Sequence, residues 1–161
     1  IAGNAHPHDT PMQERLSALL ATIDADPILR RRVHYIQDYD ETVSRALAYG
    51  SDIAINIPMV GLEACGTSWE KDITNLKILI STADGGVADI APLACLQVTG
   101  RTDAATRESV FQHMQQAAML CRQPNDHAAA IRRQLAAYLP IISGARMLRD
   151  YLQFIFPHQA A

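Results

Sequence analysis

Apolar positions along the first ninety residues fall into blocks of alternating period. Met12, Leu16, Leu19, Leu20 and Ile23 recur at three- and four-residue spacing, the stripe of an amphipathic helix, with Pro27 just beyond it. Arg32-Val33-His34-Tyr35-Ile36 reads as a short strand. Val43 and Leu47, four apart, mark a second helix that Gly50 can close. Asp52 to Ile57 is a second strand stopped by Pro58. A Gly66-Thr67-Ser68 turn then opens a third helix over Trp69 to Thr74, and Lys77 to Ser81 is a third strand. Strand, helix, strand, helix, strand with short loops predicts an α/β fold with a parallel sheet built from crossovers.

Past about Asp89 the pattern is helical throughout. Val110, Met114, Ala118 and Cys121 form one face; Ile131, Leu135, Tyr138 and Leu139 form another; Met147, Leu148, Tyr151, Leu152 and Ile155 form a third. Turns are expected at Pro124-Asn125-Asp126 and at Ser143-Gly144. Met114, Met119 and Met147 are expected in helix cores. Three strands are few for a parallel sheet, because both edges stay open. That predicts self-association and suggests that part of the sheet lies outside these residues.

Composition narrows the function classes. The chain has 161 residues, of which 48% are hydrophobic and 19% charged, and a formal net charge of −3. It is too apolar for a disordered tail, and its acidic balance argues against a nucleic-acid binder. Arg30-Arg31-Arg32 and Arg132-Arg133 are short basic runs that fit solvated faces or carboxylate pairs. Three cysteines at wide spacing, Cys65, Cys95 and Cys121, point to free thiols and a cytoplasmic setting. No apolar run approaches the roughly 18 residues that span a bilayer, so no membrane role is expected. His6-Pro7-His8-Asp9 has metal-ligand residue types, but proline between the histidines favours a loop, and no metal site is expected. His34, His113, His127 and His158 are scattered and read as surface or helix-face residues. The chain starts at Ile1 without a leader pattern, as a piece cut from something longer would.

The densest chemical signal is Asn56-Ile57-Pro58 followed by Gly61-Leu62-Glu63-Ala64-Cys65-Gly66-Thr67-Ser68-Trp69-Glu70-Lys71. It combines a strand end, a glycine turn and a helix start, and open parallel sheets bind ligands at the carboxyl ends of their strands. The amides of Gly66, Thr67 and Ser68, with two hydroxyls, suit a phosphate at a helix N-terminus. Lys71, one turn further on, has an amine that can reach a phosphate or an aldehyde cofactor. A plainer reading stays open: Thr67 and Glu70 have the spacing of a capping box, and Lys71 that of a solvated helix lysine.

Glu63-Ala64-Cys65-Gly66-Thr67-Ser68-Trp69-Glu70-Lys71 resembles the Glu-Ala-Ser-Gly-Thr-x-x-Met-Lys segment of α-glucan (glycogen, starch, maltodextrin) phosphorylases. Asn75 falls on that family's Asn-Gly asparagine, and Ser81-Thr82-Ala83-Asp84-Gly85 on its Thr-x-Asp-Gly. Ala2-Gly3-Asn4-Ala5-His6-Pro7 is similar to Ala-Gly-Lys-Ala-His-Pro, Gln37-Asp38-Tyr39-Asp40 to Glu-Asn-Tyr-Asp, and Gly144-Ala145-Arg146-Met147-Leu148-Arg149-Asp150-Tyr151 to a closing Asp-Arg-Met-Val-Arg-Glu-Tyr. Glycogen-synthase-type enzymes place a second glutamate eight residues after the first. Here that position is Lys71, the phosphorylase choice. Cys65 stands in place of serine, Trp69 and Glu70 in place of a small or polar residue and a methionine, Asn4 in place of lysine, and Leu76 in place of the Asn-Gly glycine.

The resemblance implies a partial Rossmann-like sheet, the C-terminal half of a GT-B glycosyltransferase, followed by a helical region. On that reading residues 1–90 form the α/β segment with the cofactor loop, and residues 91–161 pack on it as one structural unit. The last helix would cross back toward a further domain. The resemblance implies phosphorolysis of α-1,4-glucans to glucose 1-phosphate with pyridoxal 5′-phosphate. By position, Lys71 would hold the cofactor as the catalytic lysine. Gly66, Thr67 and Ser68 would cradle its phosphate, and Tyr39 would lie near its ring. Glu63, Ala64, Cys65 and Gly66 would line the glucosyl pocket, with Glu63 accepting sugar hydroxyls. The family's basic substrate-phosphate motif and the opposite wall of its cleft have no counterpart in these residues, so the 161 residues alone are expected not to catalyse. The alternative is a non-catalytic glucan-binding or assembly domain of the same descent.

Overall fold

A computed structural model describes residues 1–3, 5–90 and 92–156, so the readings that involve Asn4 and His158 lie outside the described residues. The chain divides into two compact units, Ile1–Leu47 and Ala48–Ala161.

In the first unit, α1 (Thr10–Ala25) starts at Asp9, whose carboxylate accepts from Met12 N at 3.1 Å. Its inward positions are Leu16, Leu20 and Ile23, whereas Met12 and Leu19 are exposed. The next helix, α2 (Pro27–Arg32), is capped by Asp26, which accepts from Ile28 N and Leu29 N. This helix corrects the strand expected over Arg32–Ile36. Proline at the first helical position and the aspartate before it nucleate a turn that runs through Arg32. What remains is one isolated parallel bridge, Ala2 to Ile36, with Ile36 N donating to Ile1 O and Gly3 N to Ile36 O. α3 (Glu41–Gly50) ends at the glycine anticipated for it.

The second unit holds a three-stranded parallel sheet in the order β1 (Ile53–Asn56), β2 (Ile78–Thr82), β3 (Leu96–Val98). α4 (Ser68–Thr74) and α5 (Gly85–Ala88) lie in the two crossovers, and α6 (Asp103–Cys121), α7 (Pro124–Ile142) and α8 (Gly144–Ile155) follow. Every residue of β2 is buried, which explains why Ile78-Leu79-Ile80 reads as an unbroken apolar run. Successive side chains point to opposite faces. Leu79 joins Ala54, Trp69, Ile73, Val87, Ile90 and Tyr138 on one side, and Ile78 and Ile80 join Leu96, Val98, Ala117 and Ile131 on the other. β3 was not anticipated. Its three residues, Leu96-Gln97-Val98, sit inside a region whose period reads as helical, and too few alternations exist to reveal a strand.

Two helix-face readings are also corrected. On α6 the inward positions are Val110, His113, Ala117 and Cys121, while Met114 and Ala118 are exposed. His113 is admitted to that face because its Nε2 pairs with Gln97 O at 2.8 Å. Met119 on α6 and Met147 on α8 are likewise about half exposed or more and not in cores. On α8, Leu148, Tyr151, Leu152 and Ile155 are all exposed. Pro124-Asn125-Asp126 is the first turn of α7, proline occupying the position where its missing N–H costs nothing. Ser143 caps α8 by accepting from Arg146 N at 3.2 Å.

Candidate functional site at the carboxyl ends of the strands

The loop between β1 and α4 is tied down by residues at the end of β2. Thr82 Oγ1 donates to Pro58 O at 2.9 Å, and Asn56 Nδ2 donates to Ser81 Oγ at 3.0 Å. The carboxylate of Asp84 accepts from Gly61 N at 3.0 Å and from Glu63 N at 3.1 Å. The Glu63 amide and, against some desolvation, the neighbouring amides hold the Asp84 carboxyl below the usual carboxylate range. Asp84 belongs to the motif Thr82-Ala83-Asp84-Gly85, yet nothing in its spacing announced that it would anchor the loop. The only signal was an acidic residue directly ahead of two glycines.

Glu63, fixed through its backbone, folds its side chain back into a cradle made by two glycines. A Cβ on Gly66 would lie 2.6 Å from Glu63 Oε1, and a Cβ on Gly85 would lie 2.8 Å from Glu63 Oε2. Gly85 also has φ +53°, in the left-handed region that glycine tolerates. Glu63 Oε2 is buried and makes no hydrogen bond. An unsatisfied buried acceptor is costly, so this atom is primed for a donor.

Beyond Gly66 the chain turns into α4. Thr67 occupies the cap position with φ −100° and ψ −1°, and its hydroxyl makes no capping bond. The capping box anticipated between Thr67 and Glu70 therefore does not form. First-turn N–H groups have no intrahelical partner, and Thr67 and Ser68 carry their hydroxyls at that same end of α4. Trp69 and Ile73, four apart, turn into the core, and Trp69 meets Tyr138 edge to face with ring centroids 5.6 Å apart. Lys71 is two residues on from Trp69, on the solvent side of the helix, and is exposed. Ala64, Cys65, Thr67 and Ser68 are exposed as well; Gly66, Glu63 and Glu70 are partly buried. The structure thus brings Glu63, Ala64, Cys65, Gly66, Thr67, Ser68 and Lys71 onto one loop-and-helix segment. Tyr39 is half exposed and belongs to the 1–47 unit.

α4 ends at Asn75, whose backbone and side-chain amides both return to Lys71 O. The following residue, Leu76, has φ +62° and is exposed. This is the position where the phosphorylase pattern has glycine, and the backbone retains the glycine-type conformation. Lys77 is buried with its amine 2.7 Å from Asp72 Oδ1, which locks the end of α4 to the start of β2.

At His6–Asp9, His8 N donates to His6 Nδ1 and Asp9 caps α1. No group of three histidine, cysteine or acidic residues suited to a metal ion occurs among the described residues, and none of their helices is long and apolar enough to cross a membrane.

No family model matches the chain. Glycogen phosphorylase of Mycobacterium tuberculosis is 25% identical over 181 aligned positions, covering 97% of this chain and 20% of the relative. Glycogen phosphorylase of Aquifex aeolicus is 26% identical over 166 positions, covering 94% of this chain and 24% of the relative. Maltodextrin phosphorylase of Thermococcus litoralis is 32% identical over 85 positions, or 53% of this chain and 10% of the relative. The chain spans about a fifth of the length of the glycogen phosphorylases it matches. The chain is thus distantly similar to glycogen phosphorylases along nearly its whole length, and to a maltodextrin phosphorylase over about half of it.

Proposed function

We propose that these residues are the cofactor-holding part of an α-glucan phosphorylase-like glycosyltransferase of GT-B architecture, acting with pyridoxal 5′-phosphate, inorganic phosphate and a glucan. The observation that carries the reading is the placement of Glu63. Its carboxylate lies in a glycine cradle at the carboxyl end of the sheet, with one oxygen buried and without a partner, eight residues ahead of an exposed lysine.

The donor set fits the cofactor. Lys71 presents an amine on the solvent side of α4. Gly66, Thr67 and Ser68 present N–H groups and hydroxyls that no capping bond consumes. Glu70, in the same first turn, is the one residue there that opposes an anion. When bound, the cofactor supplies a phosphate group that exchanges a proton with the substrate phosphate. The chain's own residues divide the remaining work: Lys71 holds the cofactor, the start of α4 orients its phosphate, and Tyr39 is assigned to its ring by the resemblance. Glu63 accepts hydrogen bonds from the glucosyl hydroxyls, and Ala64, Cys65 and Gly66 shape the pocket around them. Covering a fifth of the relatives' length, the 161 residues are proposed to bind without turning glucan over by themselves.

The Glu63 cradle does not depend on Lys71, which favours glucan binding without catalysis as the second reading. One experiment separates the two. Pyridoxal phosphate is added, the mixture is reduced with borohydride, and peptides are mapped by mass spectrometry. The sequence has two lysines, and Lys77 is buried in its ion pair with Asp72, so Lys71 is the exposed one and the rate of labelling decides. An adduct on Lys71 that saturates at low cofactor concentration and is competed by inorganic phosphate supports the enzyme reading. Labelling of Lys71 that is unsaturable and no faster than in the urea-unfolded chain would leave glucan binding alone.

A further inference from the structure

α8 carries an apolar surface that no described residue covers. Arg146, Arg149, Asp150 and Gln153 share one side of this helix, and Met147, Leu148, Tyr151, Leu152 and Ile155 share the other, yet no residue of α8 is buried. Those five apolar side chains, and Phe154 beside them, are each about half exposed or more, up to 86% at Phe154. At roughly 100 Å² of removable surface apiece they make a patch of about 600 Å², at the upper end of what a soluble monomer leaves bare. Where α8 begins, the end of α7 holds a hollow. Leu135, Ala136, Leu139, Pro140 and Ser143 line a groove of about 480 Å³, apolar except for the serine that caps α8. Phe154 lies eleven residues beyond Ser143, about 16 Å along the helix at a rise of about 1.5 Å per residue. On a straight α8 its ring cannot fold back into that groove. Hollow and projecting ring stand at opposite ends of one apolar face, the layout of a surface that complements itself across a two-fold axis.

We propose that α8 is a homodimer interface: two copies of the chain pair their α8 helices antiparallel about a two-fold axis near Leu148, and Phe154 of each copy enters the α7–α8 groove of the other. The two patches together bury about 1,200 Å², and the groove walls add to that, which reaches the roughly 1,200–2,000 Å² of a specific stable interface. Leu148, Tyr151, Leu152 and Ile155 recur at the three- and four-residue spacing of a two-helix seam. The ion pair of Arg146 with Asp150, at 2.6 Å, lies on the opposite side and stays in water. This surface owes nothing to the cofactor or glucan readings of the strand ends, and it is a different route to self-association from the open edges of the sheet.

Sedimentation equilibrium of the full chain over about 1 to 100 μM tests the dimer, since an interface of this size holds in the micromolar range or tighter. The expected result is a monomer–dimer equilibrium that weakens at least tenfold in Leu148→Glu and several-fold in Phe154→Ala. Both side chains lie outside the core, so circular dichroism and Trp69 fluorescence should match the native chain. In a mixture of carbon-13-labelled and unlabelled chains, isotope-filtered spectra should place the Phe154 ring against the Leu139 methyl groups of the other copy. A monomer throughout that concentration range would overturn the inference and leave the face to another occupant, such as a further domain of a longer parent. So would a dimer that Leu148→Glu does not weaken, which would move self-association to the sheet edges. A dimer weakened by Leu148→Glu but without the Phe154–Leu139 contact would overturn the antiparallel arrangement.

Discussion

Gln134 offers the sharpest test of how the sheet beneath the site is held. Along a strand, successive residues turn their backbone groups to opposite edges. Ile78 N donates to Asp52 O on the β1 side, so Leu79 N and Lys77 O face the β3 side. β3, however, begins only at Leu96, opposite Ile80. The amide of Gln134, reaching down from α7, fills the vacant position: its Oε1 accepts from Leu79 N at 2.9 Å, and its Nε2 donates to Lys77 O at 2.8 Å. Gln134, Leu79 and Lys77 are 3%, 0% and 4% exposed, so water cannot replace either bond. Gln134→Leu keeps the volume and orphans both backbone groups. At about 1–3 kcal/mol for each, partly offset by the added apolar burial, the net loss should be about 2–4 kcal/mol. Urea unfolding followed by tryptophan fluorescence and circular dichroism measures it, and hydrogen exchange at Leu79 reads the local effect. Gln134→Glu keeps the acceptor and sets an oxygen against Lys77 O, so its destabilisation should ease as pH falls and the acid regains a proton to donate. A loss below about 0.5 kcal/mol for Gln134→Leu, with Leu79 still protected from exchange, would refute the reasoning.

Three further outcomes follow from single positions. Leu76→Gly should stabilise the chain by up to about 1 kcal/mol, because relief of the left-handed backbone outweighs the extra flexibility of unfolded glycine and an exposed leucine has little packing to lose; thermal unfolding checks the sign. Asp84 has its folded pKa depressed, so its stabilisation of the 61–63 loop is complete above the ordinary carboxylate range and is lost as pH falls through the folded value. Exchange of the Gly61 and Glu63 amides should accelerate there in the native chain, and at neutral pH in Asp84→Ala. Tyr138 is pushed up to about 12 chiefly by burial, with Cys95 adding to the shift. Its contribution is complete below the unfolded value near 10 and should fall by about 2 kcal/mol as pH rises to 12, a decline that alkaline unfolding curves should show missing in Tyr138→Phe.

The elements that position the site were legible because punctuation and period agree there. Pro58 stops β1, the Gly66-Thr67-Ser68 turn opens α4, and the run from Ile78 to Ile80 has the apolar continuity of a strand buried on both faces. Elsewhere a polar residue on a buried face hid the pattern. Gln134 and His113 are inward because specific backbone groups receive them, Leu79 N and Lys77 O in one case and Gln97 O in the other. Hydrophobic periodicity registers such residues as outward and so sets the α6 face on Met114 and Ala118, while a strand of three residues has too few alternations to register. In the first unit, the helix that Asp26-Pro27 starts takes only Arg32 from the segment that reads as a strand. Residues 33–35 join no ladder, and Ile36 has only Ala2 for a partner.

At the site itself, residue types were readable and their division of labour was not. Glu63 and Lys71 stand out by spacing, but what aims the Glu63 carboxylate is backbone: two amides gathered by Asp84 and two positions without side chains. Gly85 is required twice over, once for its positive φ and once for the 2.8 Å approach of Glu63 Oε2, whereas Gly66 is required only for the approach of Oε1. A methyl at Gly66 would push aside the far end of a flexible side chain; a methyl at Gly85 would do so and strain the turn that also carries Asp84. The same turn continues into Gly86, against which the indole of Trp69 lies. The carboxylate, its anchor and the indole are thus coupled through three consecutive residues, Asp84-Gly85-Gly86, none of which supplies the chemistry that the neighbouring loop advertises.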